Sequence, residues 1–174
     1  MESDPDLDPD PGHDPCARVC AALDATGFAY ELFSCDPAHA DTEVFCAEHG
    51  VALEDSANTI VVASKSGAEQ RFAACVLLAT TRLDVNKTVR KRLGVRRISF
   101  ASAEQTREVT GMVLGGVAPF GLPENLPVWI DSAVLARDSV VIGGGDRAHK
   151  INVLARIFLD NPNVEVVEGL ALAR

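Results

Sequence analysis

The sequence contains no long hydrophobic segment. None of the uninterrupted apolar runs in its 174 residues approaches the roughly 20 that span a bilayer. The first residues, MESDPDLDPD, are acidic and have no apolar centre. We therefore expect no transmembrane helix, no signal or transit peptide, no membrane partner and a cytoplasmic location.

Cysteines and familiar catalytic motifs are also scarce. Five widely spaced cysteines are too few and odd in number for a disulfide framework in a chain that can build its own core. The spacing of Cys35, His39, Cys46 and His49 is not a familiar zinc pattern, so we predict no metal and no cofactor. No G-x-S-x-G, G-x-G-x-x-G or G-x-x-x-x-G-K-[ST] motif occurs, which argues against a serine nucleophile and the common nucleotide loops.

The composition is that of one globular domain, with 47% hydrophobic and 24% charged residues. The net charge of −9 comes from 16 basic and 25 acidic residues. Six of the acids lie in residues 1–15, together with four prolines, which leaves −3 for the rest. We predict a disordered acidic tail over 1–15 and a folded domain over 16–174.

One segment is strongly basic. Residues 82–97 carry seven basic side chains against the single acid Asp84, a net charge of +6. Such a run is commonly a solvated helix face, but on a mildly acidic body it also suggests a polyanionic partner. As candidates for tRNA contact we select Arg82, Lys87, Arg90, Lys91 and Arg92.

Short apolar segments separated by turn residues predict more strands than helices, without strict alternation. Residues 60–64 and 71–78 are typical of a hairpin, and 84–93 of a basic helix that begins after Asp84. Residues 139–145 indicate a strand, and 151–159 a helix. The pattern favours an α+β fold around one mixed, barrel-like sheet flanked by helices.

Two glycine clusters could carry chemistry. In TGMVLGGVAPFG (110–121), the glycines allow consecutive N–H groups to converge on one oxygen, although a tight corner without a ligand fits equally well. Gly143-Gly144-Gly145 precedes the predicted helix, as a plain connection or as an anion site. His149, just beyond, could contact a ligand, carry a proton or serve structure.

Several segments together resemble a known family, the YbaK/ProX proteins, which are free-standing relatives of the editing domain inserted in bacterial prolyl-tRNA synthetases. The resemblance covers about residues 16–168, and the loop at 110–121 followed by the "WID" strand is its most specific part. The matching segments are HADTEVFCAEHG (39–50), SANTIVVASKSG (56–67), RLDVNKTVRKRLG (82–94), TGMVLGGVAPFG (110–121), PVWIDSAVL (127–135) and VVIGGGDRAHKI (140–151).

The resemblance implies an α/β fold with a mixed, barrel-like sheet, and hydrolysis of the ester that joins a wrong amino acid to the tRNA 3′ end. The implied partner is mischarged aminoacyl-tRNA, with an aminoacyl-tRNA synthetase as a second candidate. By the resemblance, the catalytic candidates are Asn58, Gly115, Gly116 and His149. The substrate-binding candidates are Thr42, Thr59, Val117, Ala118, Pro119, Phe120, Gly121, Gly144, Gly145 and Asp146.

The sequence departs from the family pattern at its functional lysine, because Asn58 stands at that position. An amide can donate a hydrogen bond but cannot supply a positive charge. Lys65 lies seven residues further on in a predicted turn, and we do not expect it to take over.

Two functions therefore stay open. In the first, the protein is a trans-editing deacylase that uses backbone N–H groups of residues 115–121 as oxyanion donors. In the second, it is a weakened or inactive binding module for aminoacyl-tRNA or another small ligand.

Overall fold

The structure, a computed structural model, describes residues 14–65 and 69–174. The prediction of a disordered tail falls outside these residues except at Asp14 and Pro15, which begin the first helix. Within the described ranges, the α-helices are α1 (Pro15–Thr26), α2 (Thr42–His49), α3 (Arg90–Leu93) and α4 (Ala103–Thr110). The strands there are β1 (Tyr30–Ser34), β2 (Ala57–Ser64), β3 (Phe72–Leu78), β4 (Thr81–Leu83), β5 (Ile98–Phe100), β6 (Val128–Asp131), β7 (Ser139–Gly143), β8 (His149–Leu154), β9 (Val164–Val167) and β10 (Ala171–Ala173).

The helices begin and end at the residues that capping rules predict. The Asp41 side chain accepts the Glu43 N–H at the start of α2, and Gly50 ends that helix in the left-handed conformation. Gly27 ends α1 in the same way. None of the helices within the described ranges is long and apolar enough to cross a membrane.

The strands form a mixed α+β arrangement, as predicted. One sheet has the order β5-β2-β3-β6-β9, with the predicted β2–β3 hairpin antiparallel and β6 parallel to both β3 and β9. A second sheet has the order β1-β8-β7, and β10 pairs with β4. The described strands leave these sheets open instead of closing them into the barrel-like sheet that was expected.

The helix predicted for 151–159 is wrong. His149–Leu154 is the strand β8, which pairs with β1 on one side and with β7 on the other, and a 3₁₀ segment follows at Ala155–Asp160. The buried Ile151 and Val153 alternate along β8 toward the core, the period that a strand requires. The glycines at 143–145 therefore lie in a hairpin connection and precede no helix.

The basic segment is less regular than predicted. Asp84 accepts the Thr88 N–H as a cap, but the helix opens with a π-turn at Val85–Val89 before α3. Val89 and Leu93 are buried against one face of the five-stranded sheet, which leaves the basic side chains outside.

The two sheets diverge along one edge of β2, and this gap positions the site. β2 pairs with β3 over most of its length, whereas its other edge meets β5 only at Val62–Ser64 and β7 only through Ser56 and Val141. The edge at 57–61 is therefore not paired with any described strand.

The hydrogen bonds of β2 show which residues face the gap. Ser64 N–H donates to Arg71 O, and Ser56 O accepts the Ala79 N–H, so the even-numbered residues pair with β3. The odd-numbered residues face the other edge, where Val61 O accepts the Ala101 N–H. The backbone N–H and C=O of Thr59 consequently point into the gap.

Candidate functional site

A cavity of about 360 Å³ occupies the gap beside β2, a size suited to a small ligand. Its walls come from β2, the end of β5, α4, the glycine loop after α4, and the facing ends of β7 and β8. The residues that line it are Ala57, Asn58, Thr59, Ile60, Val61, Phe100, Ala101, Thr106, Leu114, Gly115, Val117, Gly143 and Lys150.

Two hydroxyl groups in the cavity wall lack partners. Thr59 Oγ1 and Thr106 Oγ1 are both buried and make no hydrogen bond to any described residue. Buried polar atoms are almost always paired in folded proteins, because an unpaired one costs about 1–3 kcal/mol. Both oxygens are enclosed by the protein, so they are polar atoms of the cavity wall whose hydrogen-bonding capacity stays unused within the described residues.

Two backbone N–H groups of the glycine loop, at residues that line the cavity, have no partner within the described residues. These N–H groups are those of Gly115 and Val117. The Gly116 N–H is already engaged by Val113 O at 2.8 Å, and Gly116 O accepts the Gly145 N–H at 2.6 Å. Gly116 thus anchors the loop, while its two neighbours offer the open donors.

The close approach of the two glycine segments requires the absence of side chains. A Cβ on Gly116 would lie 2.1 Å from Asp146 O, and one on Gly143 would lie 2.5 Å from Val117 O. Both separations are far below van der Waals contact. The loop is therefore seated on the β7–β8 connection by backbone packing.

Asn58 lies at the border of the cavity and is held by α2. Thr42 Oγ1 donates to Asn58 Oδ1 at 2.9 Å, so the amide oxygen is satisfied and Nδ2 is left as the donor. Thr42 is the first residue of α2, whose start is capped by Asp41. The structure thus brings together Asn58, Thr42 and Thr59.

Lys150 is a cavity residue that the sequence reasoning did not select. Its side chain is only 6% exposed, and its Nζ lies 5.9 Å from the centroid of the Phe45 ring. Lys150 is paired in register with Gly143 on β7, which also lines the cavity. Nζ makes no ion pair with any carboxylate in the part of the chain that the structure describes.

Burial lowers the pKa of Lys150 below its usual 10.5. The nearby thiols of Cys35 and Cys46 and the carboxylate of Asp41 act in the opposite direction, and Arg147 adds to the lowering. Desolvation also raises the pKa of the Cys35 and Cys46 thiols, so both stay protonated near neutral pH.

His149 and Asp146 lie outside this cavity. His149 Nδ1 is 2.9 Å from both oxygens of Asp146, and His149 and Lys150 point to opposite faces of β8. Their ligand atoms and the Cys16 Sγ lie within 4.8 Å of one another. Burial raises the pKa of Cys16 to about 12, so its thiol stays protonated near neutral pH.

The other substrate-binding candidates are also away from the cavity wall. Ala118 is fully buried, and Phe120 stacks on Phe158 with centroids 5.4 Å apart. Pro119, Phe120 and Gly121 instead border a groove beside α1. Gly144 and Gly145 belong to the hairpin connection behind the loop.

Two apolar side chains stand exposed at the mouth of the cavity. Phe100, at the end of β5, is 59% exposed, and Leu114, in the glycine loop, is 51% exposed. Both line the cavity as well. An exposed aromatic ring at the entrance of a largely apolar cavity suits a flat ligand group.

The basic candidates for tRNA contact are all exposed: Arg82, Lys87, Arg90, Lys91 and Arg92. Arg92 is engaged, because it pairs with Glu165 and lies 5.2 Å from the centroid of the Trp129 ring. The segment continues through the exposed Arg96 and Arg97 into β5, and so to Phe100 at the cavity mouth.

Comparison with known proteins finds one matching family model and several similar folds. A family model described as the aminoacyl-tRNA editing domain matches residues 36–156. The crystal structure of hypothetical protein APE2540 is similar at 24% identity and a TM-score of 0.77, over 89% of this chain and 99% of that one. A second structure, described as "a putative trans-editing enzyme for prolyl tRNA synthetase", is similar at 22% identity and a TM-score of 0.75, over 93% of this chain and 97% of that one.

Proposed function

The chain belongs to the aminoacyl-tRNA editing domain family, and from this premise we propose that it is a trans-editing deacylase that hydrolyses the ester of a mischarged tRNA. The observation that carries the proposal is the cavity beside β2, where open backbone N–H groups, unpartnered hydroxyls and apolar walls meet. Such a combination suits an ester that carries a small organic group.

The reaction needs stabilisation of one developing charge. Water adds to the ester carbonyl carbon, and the carbonyl electrons move to its oxygen, which accepts from the Gly115 and Val117 N–H groups. Collapse of this intermediate expels the ribose oxygen, which takes up a proton, and free amino acid and tRNA result. In this proposal Asn58 Nδ2 holds the attacking water, and the neighbouring ribose hydroxyl assists.

The walls of the cavity favour an uncharged amino acid. Val61, Ala101 and Leu114 offer apolar surface to a small side chain. Lys150 would repel a cationic side chain.

The tRNA would approach over the cavity mouth. Phe100 offers an exposed ring on which a base of the 3′ end can stack, and Arg96 and Arg97 precede its strand. Phosphates further along the tRNA would then meet the basic segment.

The test is a deacylation screen with purified protein over a panel of aminoacyl-tRNAs. The panel includes tRNA for proline charged with non-cognate amino acids, because one similar structure is described as a trans-editing enzyme for prolyl tRNA synthetase. The variant Gly116→Val, purified in parallel, controls for contaminating hydrolases, since its Cβ would collide with the Asp146 backbone.

We expect the parent to release amino acid rapidly from one or a few aminoacyl-tRNAs whose amino acid has an uncharged side chain. We expect no release with the variant. Binding of tRNA without any release would contradict the enzyme and support the binding module. Neither binding nor release would overturn both functions.

A further inference from the structure

We propose that Lys150 supplies the positive charge of the deacylation site and donates to the ester oxygen on which charge develops. This inference rests on the proposed function. The juxtaposition behind it is a buried ammonium that has no ion-pair partner among the described residues and lies in the same cavity as Asn58 and the N–H groups of the glycine loop.

The register of three strands places Lys150 in the site. Ser56 on β2 bridges Val141 on β7, so Asn58 and Gly143, each two residues further, lie on the same face. Gly143 pairs with Lys150 on β8. Gly143 has no side chain, and the backbone of Gly116 and Val117 packs against it, so the glycine loop, Asn58 and Lys150 meet around one cavity.

The surroundings of Lys150 do not explain the charge. Its Nζ lies over the Phe45 ring, 5.9 Å from the centroid, and this attraction does not neutralise the ammonium. Asp41 is the nearby carboxylate, and its Oδ1 is committed to the Glu43 N–H. A buried cation without an ion-pair partner is expensive for the fold, so a role that needs the charge accounts for its presence.

The chemical step is hydrolysis of the aminoacyl ester by water. Protonated Lys150 donates a hydrogen bond to the carbonyl oxygen and keeps its proton throughout. The interaction strengthens as water adds and negative charge collects on that oxygen, then weakens when the ribose oxygen leaves. Such preferential binding of the transition state accelerates the reaction.

The experiment compares single-turnover deacylation by the parent and by Lys150→Met, Lys150→Gln and Lys150→Arg on the best substrate of the screen. We expect Met and Gln to slow the step by about 100-fold and Arg to retain more activity, because only Arg keeps the charge. Lys65→Met, which removes an exposed lysine at the end of β2, is the matched control and should keep the parental rate. Thermal unfolding by circular dichroism verifies that each variant folds.

A pH profile separates a chemical role from a structural one. After subtraction of spontaneous hydrolysis, the parental rate should fall above the lowered pKa of Lys150, and the fall should be absent in Lys150→Met. The Cys35 and Cys46 thiols, Asp41 and Arg147 are retained in both proteins, so the comparison isolates Lys150.

The two hypotheses fail in different ways. Parental rates in both Lys150→Met and Lys150→Gln would overturn the role of Lys150 and leave the deacylase intact. A parent that releases amino acid from no tRNA of the panel would overturn the deacylase, and the role of Lys150 with it.

Discussion

Asn58 and Lys150 are 92 positions apart in the sequence, yet they line one cavity. The amide is held by Thr42, whereas the ammonium lies 5.9 Å from the centroid of the Phe45 ring and makes no ion pair within the described residues. The two residues thus divide the tasks of the site, with the amide suited to hold water and the ammonium to meet negative charge.

Moving the charge to β2 should restore part of the activity. We expect Asn58→Lys in the Lys150→Met background to be at least about tenfold faster than Lys150→Met alone, because it returns a cation to the cavity. Asn58→Gln in the same background is the neutral control. The measurement is single-turnover deacylation. If Asn58→Lys in the Lys150→Met background is no faster than Asn58→Gln in that background, a cation at position 58 does not replace the one at position 150.

Lys150→Met should also stabilise the fold. At pH 7 we expect the free energy of unfolding to rise by about 1–3 kcal/mol, because an apolar chain of similar length replaces a desolvated cation. Urea denaturation of the parent, Lys150→Met and Lys65→Met measures the effect. A Lys150→Met protein less stable than the parent at pH 7 would show that the ammonium supports the fold.

The pH dependence of that difference has a definite sign. Between the lowered pKa of Lys150 in the folded state and its usual 10.5, the unfolded chain binds more protons than the folded one. The parent therefore gains stability as pH rises through this window, and the gap to Lys150→Met narrows. A gap that widens between pH 7 and pH 10 would exclude a lowered pKa.

At the scale of elements, the glycine loop and the β7–β8 connection act as one unit. Backbone hydrogen bonds join Gly116 to Val113 and to Gly145, and the packing leaves no room for side chains between them. The positions of the Gly115 and Val117 N–H groups depend on this packing. Small changes in the packing should therefore affect catalysis strongly.

Gly116→Ala tests the seat of the loop. Its Cβ would lie 2.1 Å from Asp146 O, so the backbone must shift, and we expect a loss of about 2–3 kcal/mol in stability and of most activity. Gly169→Ala is the control: its φ is +70° with nothing within 4 Å of a Cβ, so it should lose about 1–2 kcal/mol and keep its activity. Denaturation measures the stability of both variants, and single-turnover deacylation measures their activity. A parental rate in Gly116→Ala would contradict the proposed dependence of catalysis on the packing of the loop.

Phe100, at the end of β5, tests the approach of the tRNA. Removal of the ring in Phe100→Leu should raise KM by about 5- to 150-fold with a smaller effect on kcat, since stacking on a base contributes about 1–3 kcal/mol. Phe100→Tyr keeps the ring and should resemble the parent. Steady-state kinetics on the best substrate provide the measurement, and equal KM values for Leu and Tyr would exclude stacking.

At the scale of the whole molecule, charge is distributed unevenly. The chain carries −9 overall, while residues 82–97 carry +6 and lie on the surface before the strand that leads to the cavity. This arrangement would guide a polyanion to one side of the molecule.

Salt dependence tests this surface. Replacing Lys87, Arg90 and Lys91 by Gln together should weaken tRNA binding and reduce the slope of log affinity against log salt by about 0.7–0.9 for each phosphate that the variant no longer neutralises. Arg156→Gln, in the 3₁₀ segment after β8, is the control and should leave the slope unchanged. Binding titrations from low to high salt measure this slope. An unchanged slope in the triple variant would show that the basic segment is a solvated surface without phosphate contacts.

Much of this molecule follows from local rules in the chain. Asp41, Asp84, Gly27 and Gly50 mark helix ends because caps depend on neighbouring backbone groups alone. The β2–β3 hairpin and the family motifs, including the loop at 110–121, were likewise visible in the sequence.

The composition of the cavity was decided by tertiary structure. The helix predicted at 151–159 is a strand, because β1 and β7 offer two edges that satisfy its backbone groups, a long-range effect that local propensity does not contain. That pairing turns Lys150 toward the cavity and His149 away from it. Which residues share a face depends on register between distant strands, and a shift of one residue would exchange the two side chains.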